Sequence, residues 1–279
     1  MPGLPHGKRF DPCRFSPHPR RMISGVLLDL AGVVYDGNNV IGGAIDAVAR
    51  LRRAGMPVRF VSNTTRSSTQ AIVNRLSDLG LPVSSADLFT PSRAARDFLR
   101  DHALSPHFLV HPGLLPDFAG LPEGIRNAVV VGDAGESFDY QSLNVAFRAL
   151  LDGAEFLALA SNRTFRDVDG KLSLDAGAFV AALEFATERK AVVLGKPSRR
   201  FFHAALASMG CPASQAVMVG DDAESDVAEA LQSGVGHALL VRTGKYRKND
   251  ENRFEPAPTA IVADIGAAAD WILDRMSDP

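Results

Sequence analysis

Residues 25–33 read Gly-Val-Leu-Leu-Asp-Leu-Ala-Gly-Val, an apolar run interrupted by one carboxylate at Asp29. The first part of this run has the length and composition of a buried strand, and the strand ends in an acidic side chain. Further along the chain, short apolar runs alternate with helical patterns, several of which stop at glycine. Because short strands separated by helices favour a parallel sheet, we predict an α/β fold with helices on both faces of the sheet.

A second α/β unit is predicted inside this series. The main series has predicted strands at 25–30, 58–61, 192–194, 216–219 and 237–241, and predicted helices at 44–54, 69–79, 199–209, 224–232 and 264–276. The stretch from 81 to 190 has elements of its own, with strands at 108–110, 129–131 and 156–158 and helices at 91–101, 142–151 and 176–186. We therefore predict a Rossmann-like core formed by residues 23–80 and 191–279, into which residues 81–190 are inserted as a separate domain.

The composition is that of an ordinary globular protein, with 46% hydrophobic and 22% charged residues in 279. Thirty Lys and Arg residues against 32 Asp and Glu residues leave a net charge of −2, which argues against a nucleic-acid binder. The two cysteines cannot form a disulfide framework, so we expect a reducing, cytoplasmic environment. A membrane protein is not expected, because no apolar run approaches the roughly 20 residues of a membrane span.

Residues 1–22 differ from the rest of the chain. They contain five prolines and five basic side chains but one acid, Asp11. Such a segment buries too little apolar surface to offset its ordering entropy, so we interpret it as a disordered tail or an upstream start, with Met22 as an alternative first residue. An organelle transit peptide is the alternative. A secretory signal is excluded because no apolar region of about 7–15 residues follows the charges.

Polar side chains follow several of the predicted strands. Asp29 ends the first strand and Ser62 and Asn63 follow the second, while Lys196 and the pair Asp221 and Asp222 follow two later ones. Ligands bind beyond the carboxyl ends of the strands in an open parallel sheet. Each residue alone has an ordinary explanation as a helix cap or a turn. Together, in this order, they predict one site.

The chemistry of this set points to phosphate. Asp29 and Asp221 suit a Mg²⁺ ion, which prefers about two carboxylates together with water and phosphate oxygens. Lys196 offsets the negative charge of the carboxylates and a phosphoryl group. The Ser62 hydroxyl and neighbouring N–H groups donate hydrogen bonds to the phosphoryl oxygens. One carboxylate is then free to attack phosphorus and form an aspartyl-phosphate.

These segments resemble the motifs of the haloacid dehalogenase (HAD) superfamily. The resemblance is carried by residues 29–33, 62–63, 196 and 220–222 with Asp226, and it extends over roughly 23 to 275. The position of the insert between the second and third motifs resembles the class IIA group, which has a C2-type cap. One branch of that group is resembled more closely through residues 132–134, 140–144, 174–175, 182–186 and 243–247.

The resemblance implies a role for each matching residue. Asp29 is expected to be the nucleophile and a Mg²⁺ ligand, and Lys196 to bridge the nucleophile and the phosphate. Ser62 and Asn63 are expected to hold the phosphoryl group. The remaining Mg²⁺ set implied by the resemblance is the backbone carbonyl of Ala31, Asp221, Asp222 and Asp226, the last two lying near the ion or binding its waters.

Position 31 departs from the superfamily's pattern. Most phosphatases of this kind have a second Asp two residues after the nucleophile, which acts as general acid and base, whereas Ala31 has no proton to give. General acid catalysis typically contributes about 10²–10⁴-fold. A departing phosphate, with a second pKa of about 6, needs little protonation. We therefore predict a preference for pyrophosphate, P–N bonds and aryl phosphates over alkyl phosphates.

The cap is expected to select the substrate, a small phosphorylated molecule or a phospho-amino acid. Its candidate contacts are Ser161, Asn162, Arg163 and Asp175; Arg163 either clamps a second phosphate or makes a surface ion pair. The resemblance also implies pairing of two copies through their caps.

Two other functions remain open. A catalytically weak or inactive phosphate-binding protein is the main alternative, because of Ala31. A dehalogenase is less favoured, because it needs no metal and would leave Asp221, Asp222 and Asp226 without a role.

Overall fold

The computed structural model describes residues 23–166 and 171–276, so the predicted tail at 1–22 lies outside the described residues. The strands are β1 (Gly25–Asp29), β2 (Tyr35–Asp36), β3 (Asn39–Val40), β4 (Val58–Val61), β5 (Leu88–Phe89), β6 (Leu104–Leu109), β7 (Arg126–Val131), β8 (Glu155–Ala158), β9 (Thr164–Arg166), β10 (Leu172–Leu174), β11 (Val192–Val193), β12 (Ala216–Gly220), β13 (His237–Val241) and β14 (Ala260–Val262). The α-helices are α1 (Ala44–Arg53), α2 (Thr69–Asp78), α3 (Pro91–Asp101), α4 (Tyr140–Leu151), α5 (Ala176–Thr187), α6 (Arg199–Ala207), α7 (Glu229–Gln232) and α8 (Ile265–Leu273).

A six-stranded parallel sheet carries the predicted site. Its strand order is β14-β13-β12-β1-β4-β5. Leu28 pairs with Val219 of β12, and Asp29 pairs with Val61 of β4, so the carboxyl ends of the three central strands lie side by side. The polar residues that follow these strands are thereby brought to one edge of the sheet.

A second, four-stranded parallel sheet has the order β11-β8-β7-β6. An antiparallel hairpin of β9 and β10 lies between β8 and β11 in the sequence. The predicted α/β fold with a further α/β unit is confirmed. Two strands depart from the predicted division of the chain. β5, inside the predicted insert, pairs with β4, and β11, assigned to the core, pairs with β8. A short apolar run predicts a strand but not its partner, and the limits of the inserted domain stay a prediction.

Apolar packing joins the two sheets. One cluster fills the face of the larger sheet that is covered by α1, α2 and α8. The cluster on the opposite face includes Leu27 and Val61 and continues without interruption to Val130 and Leu157 of the smaller sheet. A third cluster lies between the smaller sheet and helices α4 and α5. Burial on this scale fixes the inserted strands against the core. The loop after β7 also contacts the loop after β4, because Asp133 accepts a hydrogen bond from Arg66.

The helices within residues 23–166 and 171–276 all lack the combination of length and apolar composition that crossing a bilayer requires.

Candidate active site

Three buried carboxylates meet at the carboxyl edge of the larger sheet. Asp29 ends β1, Asp221 follows β12, and Asp226 lies one turn later. Each contributes an oxygen atom, and these atoms all lie within 4.8 Å of one another. The three residues are 7%, 2% and 1% exposed, respectively. Burying three like charges so close together costs free energy, and a nearby cation offsets this cost.

Lys196 supplies one such cation. Its Nζ donates a hydrogen bond of 2.5 Å to Asp29 Oδ1 and one of 2.7 Å to Asp226 Oδ1. Burial by itself would lower the pKa of Lys196, but the charges of Asp226 and Asp29 raise that pKa above its ordinary value. The ammonium group therefore stays charged and fixes the orientation of the Asp29 carboxylate.

Asp221 is the carboxylate that lacks a full set of partners. Its Oδ2 accepts a hydrogen bond of 2.7 Å from the backbone N–H of Lys245. Its buried Oδ1 has no hydrogen-bond partner within residues 23–166 and 171–276. Burial, and then the charges of Asp226 and Asp29, raise the pKa of Asp221 to about 7. Burial also raises the pKa of Asp226, although Lys196 opposes that rise.

These oxygens fit a hard divalent cation. Lys196 bonds Asp29 and Asp226, so the three carboxylates outnumber the cation that bonds them, and a buried oxygen of Asp221 is left over as a ligand. Mg²⁺ takes oxygen ligands of this kind and commonly keeps several waters. Ala31, whose carbonyl was predicted as a further ligand, lies just after β1 and is bridged to Tyr35.

Glycine is required where two loops close around Asp221. Gly32 and Gly244 have positive φ angles of 82° and 63°. A Cβ atom would lie 2.0 Å from Asp221 Oδ2 at Gly32 and 2.1 Å from it at Gly244. Thr243 Oγ1 also donates a hydrogen bond of 2.5 Å to the carbonyl oxygen of Gly32. The loop after β13 thus holds the loop after β1 against Asp221.

This contact was missed by sequence reasoning. The sequence of residues 243–247 carries part of the resemblance, but it does not by itself indicate a contact with the loop after β1. The available signal was that they follow β13, another strand of the same parallel sheet.

Asn63 is placed differently from Ser62. The Asn63 side chain bonds the backbone of Lys196 on both sides, accepting from its N–H at 2.8 Å and donating to its carbonyl at 3.0 Å. It therefore positions the Lys196 loop, and its role in holding a phosphoryl group stays a prediction. The Ser62 hydroxyl accepts a hydrogen bond of 3.2 Å from the N–H of Thr64 and retains its own proton for donation.

Asp222 serves as a cap. Its Oδ1 accepts hydrogen bonds of 3.1 and 3.0 Å from the N–H groups of Glu224 and Ser225. Burial acts to raise the pKa of Asp222, but these N–H groups and the charge of Lys245 hold it below its ordinary value. Asp222 is outside the set of three residues whose oxygens meet within 4.8 Å. Its predicted place near the ion therefore stays a prediction.

The sequence predicts one helix at 224–232, but the first part of this segment is a π-helix, which is wider than an α-helix. Residues Ala223–Ala228 form a π-helical turn before α7, and both Asp226 and Val227 donate their N–H to the carbonyl of Asp222. Such turns are rare, occur mostly as single-turn bulges inside α-helices, and are frequent at functional sites. Here the turn presents Asp226 to Lys196. Gly220 accommodates it, since a Cβ atom there would lie 2.2 Å from the Cβ of Asp226.

The predicted substrate contacts of the cap lie around the start of α5. Asp175 caps this helix by accepting a hydrogen bond of 2.7 Å from the N–H of Ala176, and burial raises its pKa. Its backbone N–H donates to the carbonyl of Arg163 at 3.1 Å, and the Arg163 side chain is exposed. Ser161 and Asn162 follow the end of β8. The structure thus gives Asp175 a capping contact, and substrate binding by Arg163 and Asp175 stays a prediction.

Known proteins share this architecture. The chain is 43% identical over 92% of its length to haloacid dehalogenase-like hydrolase domain-containing protein 2 of Bos taurus, covering 98% of that protein. Family models for haloacid dehalogenase-like hydrolases and HAD-hydrolase-like proteins match residues 26–135 and 193–268. The chain belongs to the HAD-like hydrolase family.

Other HAD relatives have names that describe activities. Human phospholysine phosphohistidine inorganic pyrophosphate phosphatase is 40% identical over 91% of this chain and 95% of its own. Among solved structures, NagD from E. coli K-12 has a TM-score of 0.79 and 25% identity, with 88% of this chain and 98% of that chain covered. The p-nitrophenyl phosphatase from Archaeoglobus fulgidus has a TM-score of 0.81 and 25% identity, with 90% and 99% covered. The predicted class of enzyme, a HAD-type phosphatase, is confirmed.

Proposed function

We propose that this HAD protein is a Mg²⁺-dependent phosphohydrolase that acts through an aspartyl-phosphate on Asp29. The observation that carries the proposal is the pairing of Asp29 with Lys196 beside two further buried carboxylates. A carboxylate used only as a helix cap or a structural ion pair would not need this accumulation of negative charge. Relatives that are named phosphatases support the same reaction class.

The residues divide the work of the first step. Lys196 engages Oδ1 of Asp29, which leaves Oδ2 to attack phosphorus. An O–P bond to Asp29 forms as the bond from phosphorus to the leaving group breaks, and the electron pair of the broken bond departs with the leaving group. Bound Mg²⁺ would neutralise charge on the phosphoryl oxygens, with Asp29, Asp221 and Asp226 as its protein carboxylates. The Ser62 hydroxyl donates a hydrogen bond to one of those oxygens.

The second step releases phosphate. Water attacks the phosphorus of the aspartyl-phosphate, and the bond between phosphorus and the Asp29 oxygen breaks with its electron pair returning to the Asp29 carboxylate. The proton that the water loses passes to solvent. The methyl group of Ala31 offers neither a base for this water nor an acid for the first leaving group. We therefore propose slow turnover and a preference for leaving groups that depart without protonation, such as phosphate from pyrophosphate, or after protonation on nitrogen.

The substrate proposed is a small phosphorylated molecule or a phospho-amino acid, on the basis of the name of the human phosphatase relative. Arg163 and Asp175 are its proposed contacts. A homodimer formed through the caps and a cytoplasmic location are proposed on the resemblance and the composition alone.

A phosphate-binding protein with little or no turnover is the second candidate, and Ala31 is the observation that favours it. Phosphate release by the wild type and by an Asp29 variant distinguishes the phosphohydrolase from the phosphate-binding protein. We expect wild-type protein with Mg²⁺ to release phosphate from pyrophosphate and p-nitrophenyl phosphate, and Asp29→Asn or EDTA to abolish release. Asp264→Asn is the matched control, because Asp264 caps α8 by accepting a hydrogen bond of 2.9 Å from the N–H of Ala267.

Two results would contradict the proposal. Phosphate binding without Mg²⁺-dependent release in the wild type would favour the second candidate. Release that is equal in the wild type and in Asp29→Asn would remove Asp29 from the reaction.

A further inference from the structure

Arg66 links the two sheets at the active site. It lies four residues beyond Ser62, in the loop between β4 and α2. Its Nε donates a hydrogen bond of 2.5 Å to Asp133 Oδ2, and its Nη2 donates one of 3.3 Å to Asp133 Oδ1. Asp133 follows β7 of the smaller sheet and is 5% exposed. A two-pronged contact to a buried carboxylate is stronger and more directional than an ordinary surface ion pair.

A second part of the inserted unit contacts the same guanidinium group. The Arg66 Cζ lies 4.5 Å from the ring centroid of Phe165 in β9. The contacts of Arg66 with Asp133 and Phe165 therefore tie the loop between β4 and α2 to the end of β7 and to β9 of the second unit.

The loop that carries Arg66 is also held at both ends. Near its start, Asn63 bonds the Lys196 backbone at 2.8 and 3.0 Å. At its end, the N–H and the hydroxyl of Thr69 each donate a hydrogen bond of 2.9 Å to Asp117 of the inserted segment. Arg66 is the anchor between these two points. Loss of Arg66 leaves both end anchors in place, so the protein is expected to fold while the middle of the loop loosens.

We propose that Arg66 is a positioning residue that holds the inserted unit against the loop bearing Ser62, and thereby sets the phosphate-binding side of the active site. The inference rests on the proposed phosphatase function for its kinetic readout but not for its structural readout. Arg66 acts through Asp133 and the loop, and it is assigned no contact with the reacting atoms.

The experiment compares Arg66→Met, Asp133→Asn, the double variant and the matched control Arg253→Met. Arg253 has the same kinds of contact, a 2.9 Å bond to Asp250 and a stack on Phe254, but both partners are sequence neighbours. Hydrogen–deuterium exchange of peptides covering 62–68 is measured first, without substrate. We expect exchange there to rise about fivefold or more in both single variants, to rise no further in the double variant, and to stay unchanged in Arg253→Met.

The kinetic arm uses inorganic phosphate as competitive inhibitor and p-nitrophenyl phosphate as substrate. Because the loop holds the phosphoryl group before and during reaction, we expect the inhibition constant and KM to rise about tenfold in Arg66→Met while kcat stays within about threefold. Arg66→Lys should lie between the wild type and Arg66→Met, since lysine keeps the charge but loses the two-pronged contact.

The proposal is overturned by unchanged exchange at 62–68 in both single variants, or by single effects that simply add in the double variant. Asp133→Asn is nearly isosteric, so it tests the contact even where Arg66→Met misfolds. If the wild type released no phosphate, the proposed function would fail, whereas the exchange arm would still decide the role of Arg66.

Discussion

At position 31 the side chain is a methyl group, although it lies two residues beyond the proposed nucleophile. The surrounding site is otherwise well equipped: Lys196 holds Asp29, and two further carboxylates are buried beside it. A site with this electrostatic arrangement can stabilise a transferring phosphoryl group without being able to protonate what leaves. We therefore propose that this residue governs which leaving groups the site accepts.

Replacing Ala31 supplies the first prediction. We expect Ala31→Asp to raise kcat/KM for an alkyl phosphate by about tenfold or more, with a smaller gain for pyrophosphate, because only the poor leaving group needs a proton. Ala31→Asn is the control of similar size without a transferable proton. Steady-state phosphate release measures the effect. Equal gains for both substrates, or the same gain in the Asn variant, would contradict this account of position 31.

Gly244 supplies the second prediction at this scale. We expect Gly244→Ala to weaken Mg²⁺ binding at least about tenfold, because the new Cβ atom would collide with Asp221 Oδ2 at a distance of 2.1 Å. Gly37→Ala is the matched control: its φ is 54°, so it is similarly strained, but nothing lies within 4 Å of its Cβ position. Calorimetric titration with MgCl₂ measures both. Similar losses in the two variants would show that backbone strain, and not contact with Asp221, is responsible.

At the scale of elements, polar residues at strand ends were predictable and the turns that aim them were not. The position of Asp29 after an apolar run follows from the pattern alone, and so does that of Asp221. The π-helical turn at Ala223–Ala228 does not, because its residues have ordinary helical spacing, whereas its extra width comes from the hydrogen bond that the N–H of Val227 donates to the carbonyl of Asp222, five residues earlier. Likewise, the two valines that form β11 do not indicate that this strand pairs with β8 of the smaller sheet.

The cap of this turn gives an element-scale prediction. We expect Asp222→Ala to lower the free energy of unfolding by about 1 kcal/mol, the usual effect of losing an N-cap, and also to weaken Mg²⁺ binding, because Asp226 is aimed by the turn. Asp139→Ala is the control, since Asp139 caps α4 by accepting a 2.7 Å bond from the N–H of Ser142. Denaturant unfolding and MgCl₂ titration measure the pair. An unchanged Mg²⁺ affinity in Asp222→Ala would contradict the aiming role.

At the scale of the whole molecule, the two sheets form one packed body around a charged edge. The fold class and the meeting of Asp29 with Asp221 were predictable, because parallel strands of one sheet end at one edge. Lys196 was also predicted at this site, but it follows β11 of the smaller sheet, so the same rule does not explain its position. Contacts between distant segments were not predictable from local patterns. The Thr243 contact with Gly32 and the Arg66 contact with Asp133 join residues far apart in the chain, and no periodicity encodes them.

In the absence of metal, the buried carboxylates make the free energy of unfolding depend on pH. Because the pKa of Asp221 is raised to about 7, the folded protein keeps a proton on Asp221 at pH values where the unfolded chain has released it. Proton binding at Asp221 therefore stabilises the folded state fully below about pH 4, and this stabilisation is lost as the pH rises to about 7. In EDTA, we expect Asp221→Asn to become more stable than the wild type across this range, by up to about 4 kcal/mol above pH 7. Urea unfolding at several pH values measures the difference. A difference that shrinks as the pH rises would contradict the assignment.

The covalent state of Asp29 tests the central claim most directly. After acid quench of a reaction with p-nitrophenyl phosphate and MgCl₂, peptide mass spectrometry should find one phosphoryl group on Asp29, because a site without a base at position 31 releases it slowly. EDTA and Asp29→Asn should both eliminate the modified peptide. Continued phosphate release with Asp29 unmodified at every quench time, or release that persists in EDTA, would contradict the account.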